Sequence, residues 1–337
     1  MHRLFALALL AIPQAPASAP VAGHPAVAPA DLEAAKLITR DELKRDLTFL
    51  ASDELQGRAT PSPGQAKAAE FLAKRFAELK LKPFGDGGDY MQTLNEPRGD
   101  RVFNVVGVLP GSDPAQKAIV FSAHYDHIGV SGPANAPDRI HNGADDDASG
   151  TVVVLALAKA YAARAPKPKR TLVFACFTGE EIGGLGSKAY VKAPAIPLDR
   201  TLCDVNLEML GRTFDVGPKR AWVTGYDVTT LGAILAKGAK GAGVEVFADP
   251  YPQQQFYLRS DNASFVMKGV MGHSISAGST HPDYHTPKDE ADRIEYENLE
   301  ALARGIYLGS SLIASGAETP KLTGDSLMPR PPDRKKK

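Results

Sequence analysis

His124-Tyr125-Asp126-His127 places two imidazoles and a carboxylate directly after the apolar run Ala118 to Ala123. In an extended segment, side chains two apart share a face, so Asp126 can lie beside His124 and either share a metal ion or fix its tautomer. A purely structural histidine is the alternative. A second cluster, Asn142 to Gly150 (NGADDDASG), puts Asp145, Asp146 and Asp147 ahead of a helix-forming stretch. Helix capping accounts for one or two of these carboxylates, but three in a row repel one another unless a cation is present. The third, Gly179-Glu180-Glu181-Ile182-Gly183-Gly184, follows another apolar run. Consecutive residues there point apart, so one glutamate can hold a metal while its neighbour serves as a general base; an acidic pair at a helix start is the plainer alternative. Glu208 and His285 draw their weight from belonging to this set. Imidazoles and carboxylates without a thiolate suit a pair of zinc, cobalt or manganese ions. Such a pair, about 3.5 to 4 Å apart, can activate water and polarise a carbonyl, as amide hydrolysis requires. No Ser-His-Asp elbow competes, and Gly183-Gly184-Leu185-Gly186 lacks both the Walker lysine and the full GxGxxG spacing.

These residues need a scaffold that gathers them at one edge, and the carboxyl ends of strands in an open α/β sheet form such an edge. Thr39 and Glu42 read as a capping box, with Leu43, Leu47 and Leu50 at helical spacing, so a helix is expected from Arg40 to Ala51. A second follows Pro63-Gly64, with Ala69, Leu72, Phe76 and Leu79 on one face and Pro83 closing it. The runs 102–109 and 118–123 read as a hairpin about the turn Pro110-Gly111-Ser112-Asp113-Pro114. Further strands are expected at 171–177, 202–207, 221–224 and 244–247, and helices at 151–163 and 229–237. Apolar strands alternating with helices imply an α/β fold: a mixed sheet with parallel central strands, flanked by helices on both faces.

The chain has 337 residues, with 39 Lys and Arg against 39 Asp and Glu, so bulk charge gives no reason to expect nucleic acid or an anionic membrane as partner. Cys176 and Cys203 are the only cysteines, which excludes a disulfide framework and a cysteine zinc cluster and leaves their own pairing open. At the N-terminus, Met1-His2-Arg3 precedes an uncharged stretch from Leu4 to Ile12, well short of the ~20 residues that span a bilayer. With Ala15-Pro16-Ala17 as a cleavage site, residues 1–17 read as a signal peptide, giving a secreted or periplasmic protein without stable membrane insertion. Residues 18–316 are expected to form one domain. Residues 317–337, ending PRPPDRKKK, are expected to be a disordered basic tail.

Taken together the motifs strongly resemble the M28 zinc peptidases, a group containing bacterial secreted aminopeptidases, over nearly all of the mature chain. The match includes Ser52-Asp53-Glu54-Leu55-Gln56-Gly57-Arg58, Asn104-Val105-Val106-Gly107, the HYDH, GADDDASG and GEE runs, Arg259-Ser260-Asp261, and YHTPKD ending at Asp289. The resemblance implies a zinc exopeptidase fold, two zinc ions per chain and peptide substrates. It makes His124 a ligand of one zinc, Asp146 the bridging carboxylate, Glu181 and His285 ligands of the other zinc, and Glu208 the remaining carboxylate. Glu180 takes the position of the general base, Asp126 that of the carboxylate orienting His124, and Tyr284 that of a donor to the developing oxyanion. Two departures stand out: Glu208 replaces the usual Asp, and Asn262 stands where many relatives have His. The family's protease-associated insert is missing, since few residues separate Gln92 from Val102. The implied activity is that of an aminopeptidase. Rivals are a carboxypeptidase, for which Arg58, Arg139 or Arg259 would hold the substrate carboxylate, a single-zinc glutaminyl cyclase, and a non-catalytic binding protein. Trp222, Tyr251, Phe256 and Tyr257 can build a side-chain pocket or serve as ordinary packing.

Overall fold

The computed structural model describes residues 27–95 and 99–328. The expected signal peptide and the last part of the tail, 329–337, lie outside the described residues. The helices are α1 (Pro29–Ala35), α2 (Arg40–Leu50), α3 (Pro63–Glu78), α4 (Gly150–Ala163), α5 (Leu185–Tyr190), α6 (Leu231–Ala239), α7 (Asn262–Val266) and α8 (Tyr296–Ala314). The strands are β1 (Lys82–Pro83), β2 (Met91–Asn95), β3 (Arg101–Leu109), β4 (Ala118–His124), β5 (Gly129–Val130), β6 (Ile140–His141), β7 (Leu172–Phe177), β8 (Thr201–Leu207), β9 (Arg220–Val223), β10 (Glu245–Ala248) and β11 (Met271–Ser276).

Every residue of β4, β7 and β8 is buried, because both faces of the sheet are covered. Ile119, Phe121, Leu172, Phe174 and Cys176 enter a large core shared with α1 to α4, α6 and α8. The alternate residues Val120, Val173, Ala175 and Phe177 enter a smaller one closed by Tyr190 of α5 and Phe265 of α7. Strand order is β1-β3-β7-β4-β8-β11-β9-β10, with β2 also pairing β3. The β7-β4-β8-β11 centre is parallel, while β2, β3 and β7 pair antiparallel, as do β11 and β9. The fold is therefore the expected mixed α/β sheet flanked by helices.

The expected hairpin of 102–109 with 118–123 does not form. β7 lies between β3 and β4, pairing antiparallel with one and parallel with the other. The connection through Pro110 to Pro114 is long enough to step over one strand, and its amides bond Pro168 and Lys169 ahead of β7. The local hairpin is instead β2 with β3, where Asn95 pairs with Arg101.

α2 begins where expected and buries Leu43, Leu47 and Leu50, each stabilising the fold by about 2 kcal/mol. Its capping box is altered, since Thr39 makes no side-chain bond to the helix backbone and its hydroxyl meets the Glu42 carboxylate at 3.3 Å. Lys159 of α4 also pairs with Glu42, drawing that carboxylate toward the neighbouring helix.

Cys176 and Cys203 are free and buried, on strands separated by β4. Part of the segment expected as a disordered tail is held to the body: the amide of Thr230 bonds the Lys321 carbonyl, the Thr323 amide bonds Val228, and Arg170 donates to Thr319. Among the described residues no helix is long and apolar enough to cross a membrane.

Candidate metal centre

The clusters lie at the carboxyl ends of adjacent parallel strands. His124 closes β4, Glu180 and Glu181 follow β7, Glu208 follows β8, and His285 lies in the loop after β11. The pairing of His124 with Phe177 and of Ser122 with Asn206 levels these strand ends, so side chains distant in sequence meet above one edge.

Asp146 is the hinge of the arrangement. Its Oδ1 lies 3.2 Å from Nε2 of His124, and its Oδ2 lies 3.0 Å from Nε2 of His285. On the first side, Glu208 Oε1 is 3.5 Å from the same His124 nitrogen. On the second, Glu181 Oε1 is 3.1 Å from Nε2 of His285 and 2.8 Å from Nδ1 of His127. Two sets of potential ligand atoms result, each within 4.8 Å: His127, Asp146, Glu181 and His285, and His124, Asp147 and Glu208. All five residues expected as ligands are brought together, and His127 and Asp147 stand beside them.

These donors fit divalent cations. Nδ1 of His127, Oε1 of Glu181 and Nε2 of His285 are buried without a hydrogen-bond partner, although they converge. Such atoms cost free energy unless something satisfies them, and a cation would satisfy all three. The two ligand sets joined by Asp146 form a dinuclear metal centre, and their mix of imidazole and carboxylate without thiolate matches borderline ions.

Neighbouring groups fix the geometry. Nδ1 of His124 donates to the backbone carbonyl of Asp126 at 3.2 Å, while the Asp126 carboxylate accepts the Glu180 amide at 3.2 Å. Asp126 thus faces the imidazole with its carbonyl and, at 3.6 Å from the same Nδ1, with its carboxylate, which also holds the glutamate loop. Glu208 is anchored by the Ser260 hydroxyl, which donates to Oε2 at 2.6 Å and accepts from Asn206 at 2.9 Å. The extra methylene relative to Asp is thereby accommodated, with Oε1 left facing His124. Asp289 accepts the amides of Asp145 and Asp146 at 2.9 and 3.1 Å, setting the turn that presents the shared carboxylate. Gly143 needs its positive φ of 56° there, and a Cβ would lie 2.3 Å from the Asp146 carbonyl.

Arg58 is fully buried below the site. It donates to Tyr125 at 2.7 Å, Asn142 at 2.6 Å and Gly143 at 3.0 Å, and also to Leu50, so one guanidinium ties the histidine loop to the aspartate loop. Arg58 is therefore committed to backbone carbonyls. Arg259, stacked over Phe256, does line the cleft above the metal centre. Glu180, Tyr284, Glu208 and Trp222 line that cleft too. Tyr284 stacks on His285 with ring centres 3.9 Å apart. Asn262 is fully buried, donating to the Tyr257 carbonyl at 2.7 Å and accepting from Ser274 at 3.0 Å, so it locks α7 to β11 and does not line the cleft.

Burial alone would lower the His124 pKa, but Glu208, Asp126 and Asp146 outweigh it and hold the imidazole well above its ordinary value. His285 is likewise raised to about 10, its burial outweighed by Asp146 and Glu181. Burial pushes Glu180 up to about 9, opposed by His124 and reinforced by Glu208 and Asp261. Cations bound beside it would favour its ionised form instead. Tyr284 is raised by burial and the surrounding carboxylates, which keeps its hydroxyl a donor.

Residues 104–308, more than half of the chain, match the sequence pattern of peptidase family M28. The chain belongs to peptidase family M28. This M28 chain is 33% identical over 192 residues to a vacuolar membrane protease of Lachancea thermotolerans, covering 55% of itself but only 18% of that protein. It is 25% identical over 282 residues to a probable leucine aminopeptidase of Arthroderma otae, covering 81% of itself and 72% of that protein. Its fold is similar to that of the LapA aminopeptidase of Legionella pneumophila, with a TM-score of 0.67 at 23% identity over 84% of this chain and 74% of the other. A zinc aminopeptidase of Bacillus subtilis gives 0.67 at 16% identity over 84% and 97%. A glutaminyl cyclase of Porphyromonas gingivalis gives 0.63 at 15% identity over 80% and 96%, so the fold alone does not select the reaction.

Sequence reasoning named His127 in the HYDH run but gave it no role. The two-residue period that brought out Asp126 holds only while the chain is extended, and β4 ends at His124. The repeated histidine of the HYDH run was the available signal.

Proposed function

We propose that this protein is an aminopeptidase that removes N-terminal residues from peptides, with two zinc ions at the dinuclear centre. The observation that carries the reading is the placement of Glu180 on the cleft wall together with His124, Asp146 and Glu208. Zinc held by His124, Asp146, Glu181, Glu208 and His285 would polarise a scissile carbonyl and acidify a water molecule. The Glu180 carboxylate removes a proton from the attacking water and returns it to the leaving amine. Asp126 holds the Glu180 amide in place for that transfer, and the Tyr284 hydroxyl donates to the developing oxyanion. Trp222, Phe256 and Met209 line the cleft and offer an apolar surface to the substrate side chain. A secreted or periplasmic location, read from residues 1–17, belongs to the same proposal.

Arg259 on the cleft wall favours a second reading, a carboxypeptidase that pairs this guanidinium with the substrate carboxylate. One experiment separates the two: a mixed peptide pool incubated with the protein, with and without a chelator, and read by mass spectrometry. The proposal expects products shortened from the N-terminus and abolished by chelation. C-terminal ladders would transfer the activity to the carboxypeptidase reading, and loss of ammonia from N-terminal Gln would make it a cyclase.

A further inference from the structure

The two halves of the metal centre are unequal. Oδ2 of Asp146, Oε1 of Glu181, Nε2 of His285 and Nδ1 of His127 enclose one point. Their measured separations are 2.8 Å for His127 to Glu181, 3.0 Å for His285 to Asp146, 3.1 Å for His285 to Glu181 and 3.8 Å for His127 to Asp146. Donors around a tetrahedral zinc at 2.0 to 2.1 Å stand about 3.3 Å apart, so these four already approximate the edges of such a tetrahedron. The His127 side chain is wholly buried, and neither of its ring nitrogens makes a well-aligned hydrogen bond, although Nδ1 comes within 2.8 Å of Glu181 Oε1. A buried imidazole without a well-aligned hydrogen bond, packed edge-on to His285 at 5.3 Å between ring centres, is a ligand-type side chain aimed into the cluster.

The other half faces outward. His124, Asp146 and Glu208 line the cleft with Glu180, whereas His127, Glu181 and His285 do not line it, although His285 keeps a third of its side chain exposed. Structural zinc sites take four protein ligands, and catalytic sites keep a position open.

Building on the dinuclear reading above, we propose that His127 is a fourth protein ligand to the ion held by Asp146, Glu181 and His285. His127 thereby completes a set of four protein donors on the half of the centre that does not line the cleft.

The test is calorimetric and spectroscopic, on the full chain stripped of metal. Wild type should bind two zinc ions. His127→Ala should bind one ion with affinity within a few-fold of wild type and the other weakened at least about 100-fold, more than loss of a residue that merely orients a ligand. Two unchanged affinities in His127→Ala would overturn the proposal. A wild-type stoichiometry of one would overturn the dinuclear reading beneath it, which is a distinguishable failure. Should His127→Ala not fold, His127→Cys loaded with two cobalt(II) ions decides: a thiolate-to-cobalt charge-transfer band supports ligation from position 127, and its absence overturns it.

Discussion

Asp146 presents its two carboxylate oxygens to two different histidines, Oδ1 to His124 at 3.2 Å and Oδ2 to His285 at 3.0 Å. No other side chain reaches both halves of the centre in this way among the described residues. Burial works to raise this carboxyl, but His124 and His285 hold it well below the usual carboxylate range, so it stays ionised where a shared ligand must be. Asp146→Ala should therefore weaken both metal sites, whereas Glu208→Ala should weaken one. Metal analysis after dialysis reads this directly: less than one ion per chain is expected for Asp146→Ala, and full occupancy would remove Asp146 from the shared role.

Glu180 stands on the cleft wall and belongs to neither ligand set. Glu180→Gln is nearly isosteric and should retain metal and fold while kcat falls by about 100- to 10,000-fold, the range expected for losing a positioned general base. A variant turning over at close to the wild-type rate would mean that another group moves the proton.

Metal uptake should release protons. His285 at about 10 and His124 well above its ordinary value are both protonated in the metal-free protein at pH 7, and each must lose a proton to become a ligand. At least about two protons should leave per chain as both sites fill, and affinity should rise with pH across the neutral range. Titration calorimetry in buffers of different ionisation enthalpy measures this number. Zero release would contradict the assignment of these imidazoles.

His273 offers a pH effect away from the metal. It is fully buried, with Nδ1 donating to the Thr224 carbonyl at 2.7 Å and Nε2 accepting the Thr229 hydroxyl at 2.8 Å, which fixes the neutral ring. Burial lowers its pKa to about 4, partly opposed by the Thr224 bond. Below about pH 6.5 the unfolded chain takes up the proton first, so stability falls as pH drops from there through 4, by about 3 kcal/mol at most. Above 6.5 the contribution is constant. Chemical denaturation of wild type and His273→Gln should give curves that converge as pH falls from 7 to 4; a gap independent of pH would count against the buried neutral ring.

Much of the site was legible because chemistry and strand ends coincide in this sequence. The fully buried strands β4, β7 and β8 read as apolar runs, and each ends on a ligand-type side chain or within four residues of one, so one edge could be inferred before its geometry was known. Strand order was not legible. A turn-rich connection between two apolar runs looks the same whether the strands pair or a third enters between them, and β7 enters because its own hydrophobic pattern suits both neighbours.

The helix α8 escaped the reading for a packing reason. Gly305, Gly309, Ser310 and Ser311 interrupt its apolar pattern, yet all are buried. A Cβ at Gly309 would lie 2.6 Å from the Leu235 carbonyl, so the close approach of α6 and α8 demands a small residue where periodicity looks for a large one. β11 was missed as well, its small and polar residues Gly272, His273 and Ser274 masking a buried strand.

If a dinuclear zinc centre removes residues from peptide N-termini, as proposed, zinc must restore that activity to the metal-free protein. Chelated protein is titrated with zinc while release of the first residue from a peptide is followed alongside the same peptide with its amino group acetylated. No release is expected without metal, recovery should saturate at two zinc ions per chain, and the blocked peptide should be little cleaved. Full activity in the chelated protein, or equal cleavage of the blocked peptide, would contradict the proposal.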